Sequence, residues 1–308
     1  MHFTMKKLSL TLVFMAAMCM QLAAQSGTVG IAGTHISVLP IKGYKPATSF
    51  YGLQRDSVTG LQAYDYTNRN YFESIVGFDE ADLKAKGASI YTYRQLMIDG
   101  YNARYVVMQG DTGVKVATLL FGDSSFTAIL VAAYAQNDLA LEKQVEQSLL
   151  AAKYNKKAKV DPFALSAFKL NDANSTYKYT KNASDNMYLY ALNGEVKDSY
   201  MSESSLTAMA INSDSPLNAE DLVKQVLEDM KKYGLNEAVT TYQSSKTING
   251  YTAFELITYG NVVREKHAVY HMAVVKGNRG FIVQGVAVSD FETTIQQFEQ
   301  LAHTVTAR

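Results

Sequence analysis

Cysteine is almost absent from this chain, and its one copy lies in a segment that we expect to be removed. Cys19 is the only cysteine among 308 residues. It lies within an apolar run, Leu8–Leu22, which follows two lysines and precedes the small residues Ala23 and Ala24. This order is typical of a secretory leader, so residues 1–24 are predicted to be a cleaved signal peptide. The mature chain would then have no disulfide, no thiol nucleophile and no thiolate metal ligand.

Long hydrophobic runs are also lacking. The leader's run of 15 residues is shorter than the ~20 that a membrane-spanning helix needs. No later run approaches that length, so we expect a periplasmic or secreted protein with no transmembrane segment after cleavage. Lipid anchoring at Cys19 is disfavoured, because Met18 stands where a lipoprotein signal has a small residue.

Charge of one sign is nowhere concentrated. Without Lys6 and Lys7 the chain keeps 27 of its 29 basic residues against 29 acidic ones, a net charge of −2. The densest basic segment, Lys153–Lys159, is predicted to be a solvated linker. Binding to a phosphate backbone requires clustered Lys and Arg, so nucleic acid is excluded as a partner.

Recognisable catalytic motifs are missing too. The chain has no Gly-x-Ser-x-Gly, no phosphate-binding glycine loop, no His-Glu-x-x-His and no calcium loop. His267 and His271 are four residues apart, but Glu265–Val275 alternates like a strand, which would separate them by ~13 Å, too far to share one metal. We therefore expect no catalytic residues, no metal site and no cofactor.

A duplicated segment is the most informative feature that is present. Ile98–Gly110 reads IDGYNARYVVMQG, and Ile248–Gly260, 150 residues later, reads INGYTAFELITYG. A strand, a tight turn, a second strand and an amphipathic helix are predicted after each copy. The sequence therefore predicts two tandem domains, at 27–153 and 160–308.

The order of predicted elements fixes the fold class. Short loops join neighbouring strands, which favours antiparallel pairing, and helices such as Asn218–Tyr233 cover the sheet. Ser289-Asp290-Phe291-Glu292 is predicted to form a capping box at the start of the last helix. The expectation is α+β, with an antiparallel sheet covered by helices in each domain.

This pattern resembles the PsbP-like domains, a fold shared by PsbP of photosystem II and the bacterial DcrB-like envelope proteins. The segments that carry the resemblance are THISVLP, INGYTAFELITYG, EKHAVYHMAVVKGNRGFIVQGVAV and SDFETTIQQFEQLAHTV. The resemblance implies an exported bacterial protein with two such domains in tandem. The resemblance implies a non-catalytic binding or assembly-support role, with a protein or envelope component as the partner.

Tyrosine is unusually frequent, at 21 residues, whereas tryptophan is absent. Tyrosine buries its ring while its hydroxyl stays hydrated, which suits a contact surface as well as a sheet face. The tyrosines at corresponding places in the two copies are the predicted binding residues: Tyr64, Tyr66, Tyr177, Tyr179, Tyr188 and Tyr190.

Two other functions stay open at this stage. A small-molecule carrier would have an apolar cavity lined by side chains such as Phe254, Tyr270 or Phe281. An unrecognised hydrolase would place His271 or His303 against a hydroxyl or carboxylate in a cleft. A binding protein would instead expose an aromatic patch.

Overall fold

The computed structural model describes residues 27–196 and 203–308, and within these residues the chain divides into two compact units. Unit 1 runs to Ala47 and from Tyr51 to Val160, and unit 2 comprises Thr48–Phe50 and Asp161–Arg308. The predicted signal peptide lies outside the described residues. Among the described residues, no helix combines the length and the apolar character needed to cross a membrane.

From residue 27 onward, where the structure describes it, unit 1 has ten strands and three helices. In chain order these are β1 (Val29–Gly30), β2 (Ile36–Val38), β3 (Lys45–Pro46), β4 (Gly52–Gln54), β5 (Gly60–Tyr66), α1 (Tyr71–Ser74), α2 (Glu80–Ala85), β6 (Ile90–Ile98), β7 (Tyr101–Gln109), β8 (Val114–Gly122), β9 (Thr127–Ala135), α3 (Leu139–Leu150) and β10 (Lys153–Tyr154). Seven strands form an antiparallel sheet in the order β3-β4-β5-β9-β8-β7-β6. The strands β1, β2 and β10 form a separate small sheet.

Unit 2 repeats this plan with longer central strands. Its elements are β11 (Phe168–Lys169), β12 (Tyr177–Ser184), β13 (Met187–Leu192), β14 (Ser205–Asn212), α4 (Ala219–Lys232), β15 (Asn236–Ile248), β16 (Tyr251–Val262), β17 (Glu265–Lys276), β18 (Arg279–Ala287), α5 (Phe291–Ala302) and β19 (Thr306–Ala307). Seven of them form an antiparallel sheet in the order β12-β13-β14-β18-β17-β16-β15. The predicted α+β class, a duplicated antiparallel sheet with helices, is confirmed.

The sheet of unit 2 packs a helix against each face, because its central strands are apolar on both sides. On one face, Ile295, Phe298 and Leu301 of α5 pack into a core that includes Phe281. On the other face, Val223 and Leu227 of α4 contact a second cluster. The helix α4 is well capped, since the Asn218 side chain accepts from two backbone amides in its first turn.

The duplicated segment forms the same turn in both units. Asp99 and Asn249 each have φ near 50°, and the glycines that follow them each have φ near 84°. Two residues with positive φ form the type I′ turn that matches the twist of a β-hairpin. The Asn249 side chain also donates to the backbone carbonyls of His303 and Val305, and the Asp99 carboxylate accepts from the Tyr154 amide. The repeated Asp/Asn-Gly pair therefore holds the segment that follows the last helix of each unit.

Two local predictions are wrong. The last helix has no capping box, because Asp290, the residue at its N-cap, has φ 44° and its side chain makes no capping hydrogen bond. The sequence also predicts a strand near 163–170, but only Phe168–Lys169 is extended, since residues 162–165 form a turn in which the Phe163 amide donates to the Asp161 carboxylate.

Candidate functional site

Three of the six tyrosines predicted to bind a partner are inside the core of unit 2. Tyr177, Tyr188 and Tyr190 are only 2%, 0% and 1% exposed. Their rings pack against aromatic residues of the α5 side, for example Tyr177 against Phe298 with centroids 4.8 Å apart. These three side chains have no surface to offer a partner, because strand alternation turns them into the core. Of the six predicted binding residues, only Tyr64, Tyr66 and Tyr179 remain candidates for a contact surface.

Tyr64 and Tyr66 form the more accessible pair. Their rings are stacked at 6.4 Å with an interplanar angle of 5°. Tyr66 is 38% exposed, and the Arg69 guanidinium lies 5.2 Å from the centre of its ring. Planar rings beside a guanidinium are residue types enriched in protein interfaces.

A cavity of about 430 Å³ lies between α4 and the sheet in unit 2. We call it the α4 groove. The helix contributes its second half, and strands β14, β16, β17 and β18 form the floor. The residues that line it are Ser205, Thr207, Val226, Asp229, Met230, Tyr233, Leu235, Val262, His267, Gln284 and Val286. Such mainly apolar walls with a few polar groups are typical of small-molecule sites.

Two polar side chains that line the α4 groove, His267 and Asp229, already make hydrogen bonds within unit 2. His267 is only 4% exposed, and its Nδ1 lies 2.9 Å from the backbone carbonyl oxygen of Glu265. A carbonyl oxygen only accepts, so Nδ1 donates to it, which leaves Nε2 for contact with an occupant of the groove. The Asp229 carboxylate, on α4, accepts from Lys232. The groove therefore offers a carboxylate acceptor and an imidazole beside an apolar wall.

The residues predicted to line a carrier cavity lie elsewhere. Tyr270 and Phe281 are buried on the α5 side of the sheet. Phe254 borders a second recess, of about 740 Å³, at the start of α4. That recess is lined largely by polar residues and turn backbone, including Asn218, Asn249 and Lys276. The three residues thus lie on two different faces of the sheet, Phe254 on the α4 side and Tyr270 and Phe281 on the α5 side, and do not line one cavity.

A buried carboxylate is the centre of a polar cluster beneath the end of α5. Glu255, on β16, is 0% exposed and lies on the face of the sheet that α5 covers. The Tyr270 hydroxyl donates to its Oε1 at 2.8 Å, and Lys246 forms an ion pair with its Oε2. Nε2 of His303, the C-cap residue of α5, contacts the same Oε1. The Glu299 carboxylate, one turn earlier, lies 3.9 Å from that nitrogen.

The Glu255 carboxylate is ionised despite its burial. Burial alone would raise its pKa. Hydrogen bonds from His303, Lys246 and Tyr270 outweigh burial and hold the pKa below its ordinary value. The tyrosine stays protonated, because burial and the nearby carboxylate raise its pKa well above the usual range. The cluster is thus a fixed negative charge with three donors around it.

His303 meets the carboxylate that the hydrolase hypothesis required, but among the described residues no nucleophile is positioned beside it. The cavities of unit 2 described above are lined by other residues. The nearby Thr304 hydroxyl is occupied, since it donates to the Leu301 carbonyl at 2.6 Å. A triad needs a nucleophile within hydrogen-bond reach of its base, and this hydroxyl is directed to the backbone instead.

Unit 1 has a different polar cluster at a different place. Asp65 on β5 accepts from the His35 amide at 2.7 Å, and His35 Nδ1 lies 2.6 Å from the same carboxylate oxygen. The Tyr154 hydroxyl donates to the other oxygen at 2.7 Å. In unit 2 the sheet position equivalent to Asp65 is Ala210, by the register of the paired strands. Neither unit repeats the other's cluster.

His271 is the one buried histidine without a polar contact among the described residues. It is 0% exposed, and neither ring nitrogen has a hydrogen-bond partner there. Burial lowers its pKa to about 4, because the charged ring would lose its water. It pairs across the sheet with Gln284, which lines the α4 groove.

Comparison with known proteins gives likenesses of structure only. No protein-family model matches the chain, and no curated protein matches it. Cyanobacterial PsbP (CyanoP) from Synechocystis is similar over 50% of this chain and 100% of that chain, at 12% identity and a TM-score of 0.30. LpqN of Mycobacterium tuberculosis, a protein involved in cell envelope biogenesis, matches 45% of this chain and 83% of that chain, at 16% identity and a TM-score of 0.32.

The T6SS immunity protein TplEi from Pseudomonas aeruginosa is similar over a longer range. The match covers 92% of this chain and 98% of that chain, at 8% identity and a TM-score of 0.43. With identities this low and TM-scores under 0.5, the function has to be argued from this chain's own residues.

Proposed function

We propose that this chain is an exported, non-catalytic binding protein and that its α4 groove takes a small, mainly apolar ligand. The observation that carries the proposal is the groove itself, a cavity of about 430 Å³ between helix and sheet. Export is supported by the predicted leader at residues 1–24. A non-catalytic role agrees with the lack of a nucleophile positioned beside His303 in the part of the chain that the structure describes, and with the resemblance to PsbP-like domains.

The lining of the groove indicates the ligand's chemistry. Val226, Met230 and Val262 offer apolar contact, whereas Asp229 presents a carboxylate acceptor and His267 an imidazole. An occupant should therefore have an apolar body and at least one hydroxyl or amine that donates. A strongly anionic head group is disfavoured, because it would meet the Asp229 carboxylate.

Nile red, a neutral apolar dye, tests the groove directly. We expect its fluorescence to rise and shift to the blue on binding, with one site per chain. Val226→Phe fills the groove and should weaken binding by about tenfold or more, which corresponds to ~1.4 kcal/mol. The matched control is Val239→Phe, the same change at a position that is 61% exposed on β15.

Equal binding by the two variants would place the dye outside the groove and remove the support for a carrier. Native mass spectrometry of the protein purified from envelope extract then identifies the natural occupant. A mass increment that Val226→Phe abolishes and Val239→Phe retains is the expected result.

A protein partner is the second candidate, and the stacked pair Tyr64 and Tyr66 favours it. The pair lies in unit 1, and Arg69 extends it. Affinity capture from envelope extract should lose its partner with Tyr66→Ala. Tyr233→Ala, which removes a tyrosine that is 88% exposed in unit 2, is the control. Unchanged capture by the Tyr66 variant would exclude this surface.

A further inference from the structure

We propose that Glu255, Glu299 and His303 form a binding site for a divalent transition-metal ion such as Zn²⁺. One oxygen from each carboxylate and one imidazole nitrogen lie within 4.8 Å of one another. Imidazole nitrogen and carboxylate oxygen are ordinary zinc ligands, at about 2.0–2.2 Å from the ion. This site is separate from the α4 groove, which lies on the other face of the sheet.

The spacing of the ligands along the chain suits a metal. Glu299 and His303 are four residues apart at the end of α5, so both side chains leave the same face of the helix. The third ligand, Glu255, comes from β16 directly beneath them. The strand thus supplies one ligand whose side chain is fixed in position, and the end of the helix supplies two ligands whose side chains can rotate.

The adjustment required is small. Tetrahedral coordination places ligand atoms ~3.3 Å apart. The His303–Glu299 separation of 3.9 Å would have to shorten, and the close His303–Glu255 contact would have to widen. The helix side chains are 34% and 38% exposed, so both have room to rotate.

The groups around Glu255 are those expected around a carboxylate that binds a metal ion. Tyr270 donates to one carboxylate oxygen and Lys246 is paired with the other. Ligating carboxylates are commonly hydrogen-bonded in this way, which fixes their direction. The carboxylates of Glu255 and Glu299 and the ammonium of Lys246 together carry a net charge of −1 when His303 is neutral. A bound cation would offset this negative charge. The ion would replace the proton shared by His303 and Glu255, which goes to solvent.

Unit 1 provides an internal comparison. By the register of the hairpins, Tyr105 occupies the position of Glu255. Ala151 is the C-cap residue of α3, where α5 has His303. The fold therefore forms without these ligands, and their presence in unit 2 is a local addition.

The test is titration of ZnCl2 into the mature, untagged protein by isothermal titration calorimetry. We expect one saturable site in the wild type. His303→Gln and Glu299→Gln should weaken it by more than the roughly 10–100-fold that is typical for loss of an outer-shell partner. Tyr270→Phe should weaken it by about tenfold on the same scale. Zn²⁺ should raise the melting temperature of the wild type and not that of His303→Gln.

His35→Gln is the matched control, because His35 also contacts a carboxylate, Asp65, but is not part of a three-ligand group. Its Zn²⁺ affinity should equal that of the wild type. Circular dichroism confirms that each variant is folded. The proposal is overturned if the wild type binds no Zn²⁺ saturably, if His303→Gln binds it equally well, or if His35→Gln loses affinity to the same extent.

Discussion

Replacing His271 by leucine should make the protein less sensitive to acid. The imidazole is 0% exposed, and its pKa is lowered to about 4 from 6.5. Between these two pH values the unfolded chain binds a proton that the folded chain does not. Stability therefore decreases as the pH falls through this window, and it is fully retained above about pH 6.5.

The size of the effect follows from the width of the window. One pH unit corresponds to about 1.4 kcal/mol for a group that titrates in only one state. From pH 6.5 to pH 5 the wild type should thus lose about 2 kcal/mol through this side chain alone. His271→Leu removes the contribution. At pH 7.5 the variant should be as stable as the wild type or more stable, because it also removes two unpaired polar atoms from the core.

Urea unfolding monitored by circular dichroism at pH 7.5 and pH 5.0 measures this difference. Met272→Leu, one residue away on β17 and also buried, is the control for disturbance of the core. Met272→Leu should shift the unfolding transition of unit 2 by the same amount at both pH values. Because this residue belongs to unit 2, the transition that shifts is the transition of that unit. If His271→Leu and the wild type lose equal stability at pH 5, the imidazole is protonated or hydrated in the folded state and the reasoning fails.

The remaining predictions concern packing and buried hydrogen bonds, and urea unfolding measures each of them. Gly285→Ala should destabilise unit 2 by about 1–3 kcal/mol, since a Cβ there would lie 2.3 Å from Cδ2 of Phe298. Asn249→Ala should cost about 1–3 kcal/mol, because it leaves two carbonyls after α5 without their donor. Tyr154→Phe should cost about 1–3 kcal/mol, because the Asp65 carboxylate loses one of its donors.

Two of these variants, Gly285→Ala and Asn249→Ala, have a simple counterpart. Gly30→Ala places its Cβ where no atom lies within 4 Å, so its free energy of unfolding should not change. Asn249→Asp keeps a residue that tolerates positive φ, as Asp99 does in unit 1. If Asn249→Asp lowered the free energy of unfolding as much as Asn249→Ala does, the two lost hydrogen bonds would account for the whole decrease. The turn conformation would then contribute nothing to it.

The sequence predicted the central sheets well because their signals are local and periodic. The strands that flank Asp99-Gly100 and Asn249-Gly250 alternate clearly, and the turn residues themselves require positive φ. The helix that starts after Asn218 has both a cap and an apolar stripe. Each small sheet contains one strand that the sequence predicted, β2 within Thr34–Pro40 and β11 within 163–170. Their partners β1, β10 and β19 were missed, because strands of two residues are too short to produce a period.

The candidate sites were hidden from sequence reasoning for a different reason. Each combines residues that are distant along the chain, such as Glu255 with His303 or Asp65 with His35. Strand alternation tells which residues share a face, but not which face a given helix covers. The same reason explains the error about the tyrosines. Tyr188 and Tyr190 share one face of their strand, as their spacing predicts, but that face lies in the core and not on a binding surface. The one available signal was Glu255 itself, a charged residue within an otherwise apolar strand.

The difference between the repeats bears on why unit 2 keeps a buried carboxylate. Replacing a buried ion pair with apolar residues of similar volume is often neutral or stabilising. Unit 1 has such a replacement, because Tyr105 and Leu96 occupy the positions of Glu255 and Lys246 in the same hairpin register. The fold therefore does not require the charge. The shared Asp/Asn-Gly turn explains how both units are built, whereas the Glu255 cluster is where unit 2 differs in chemistry.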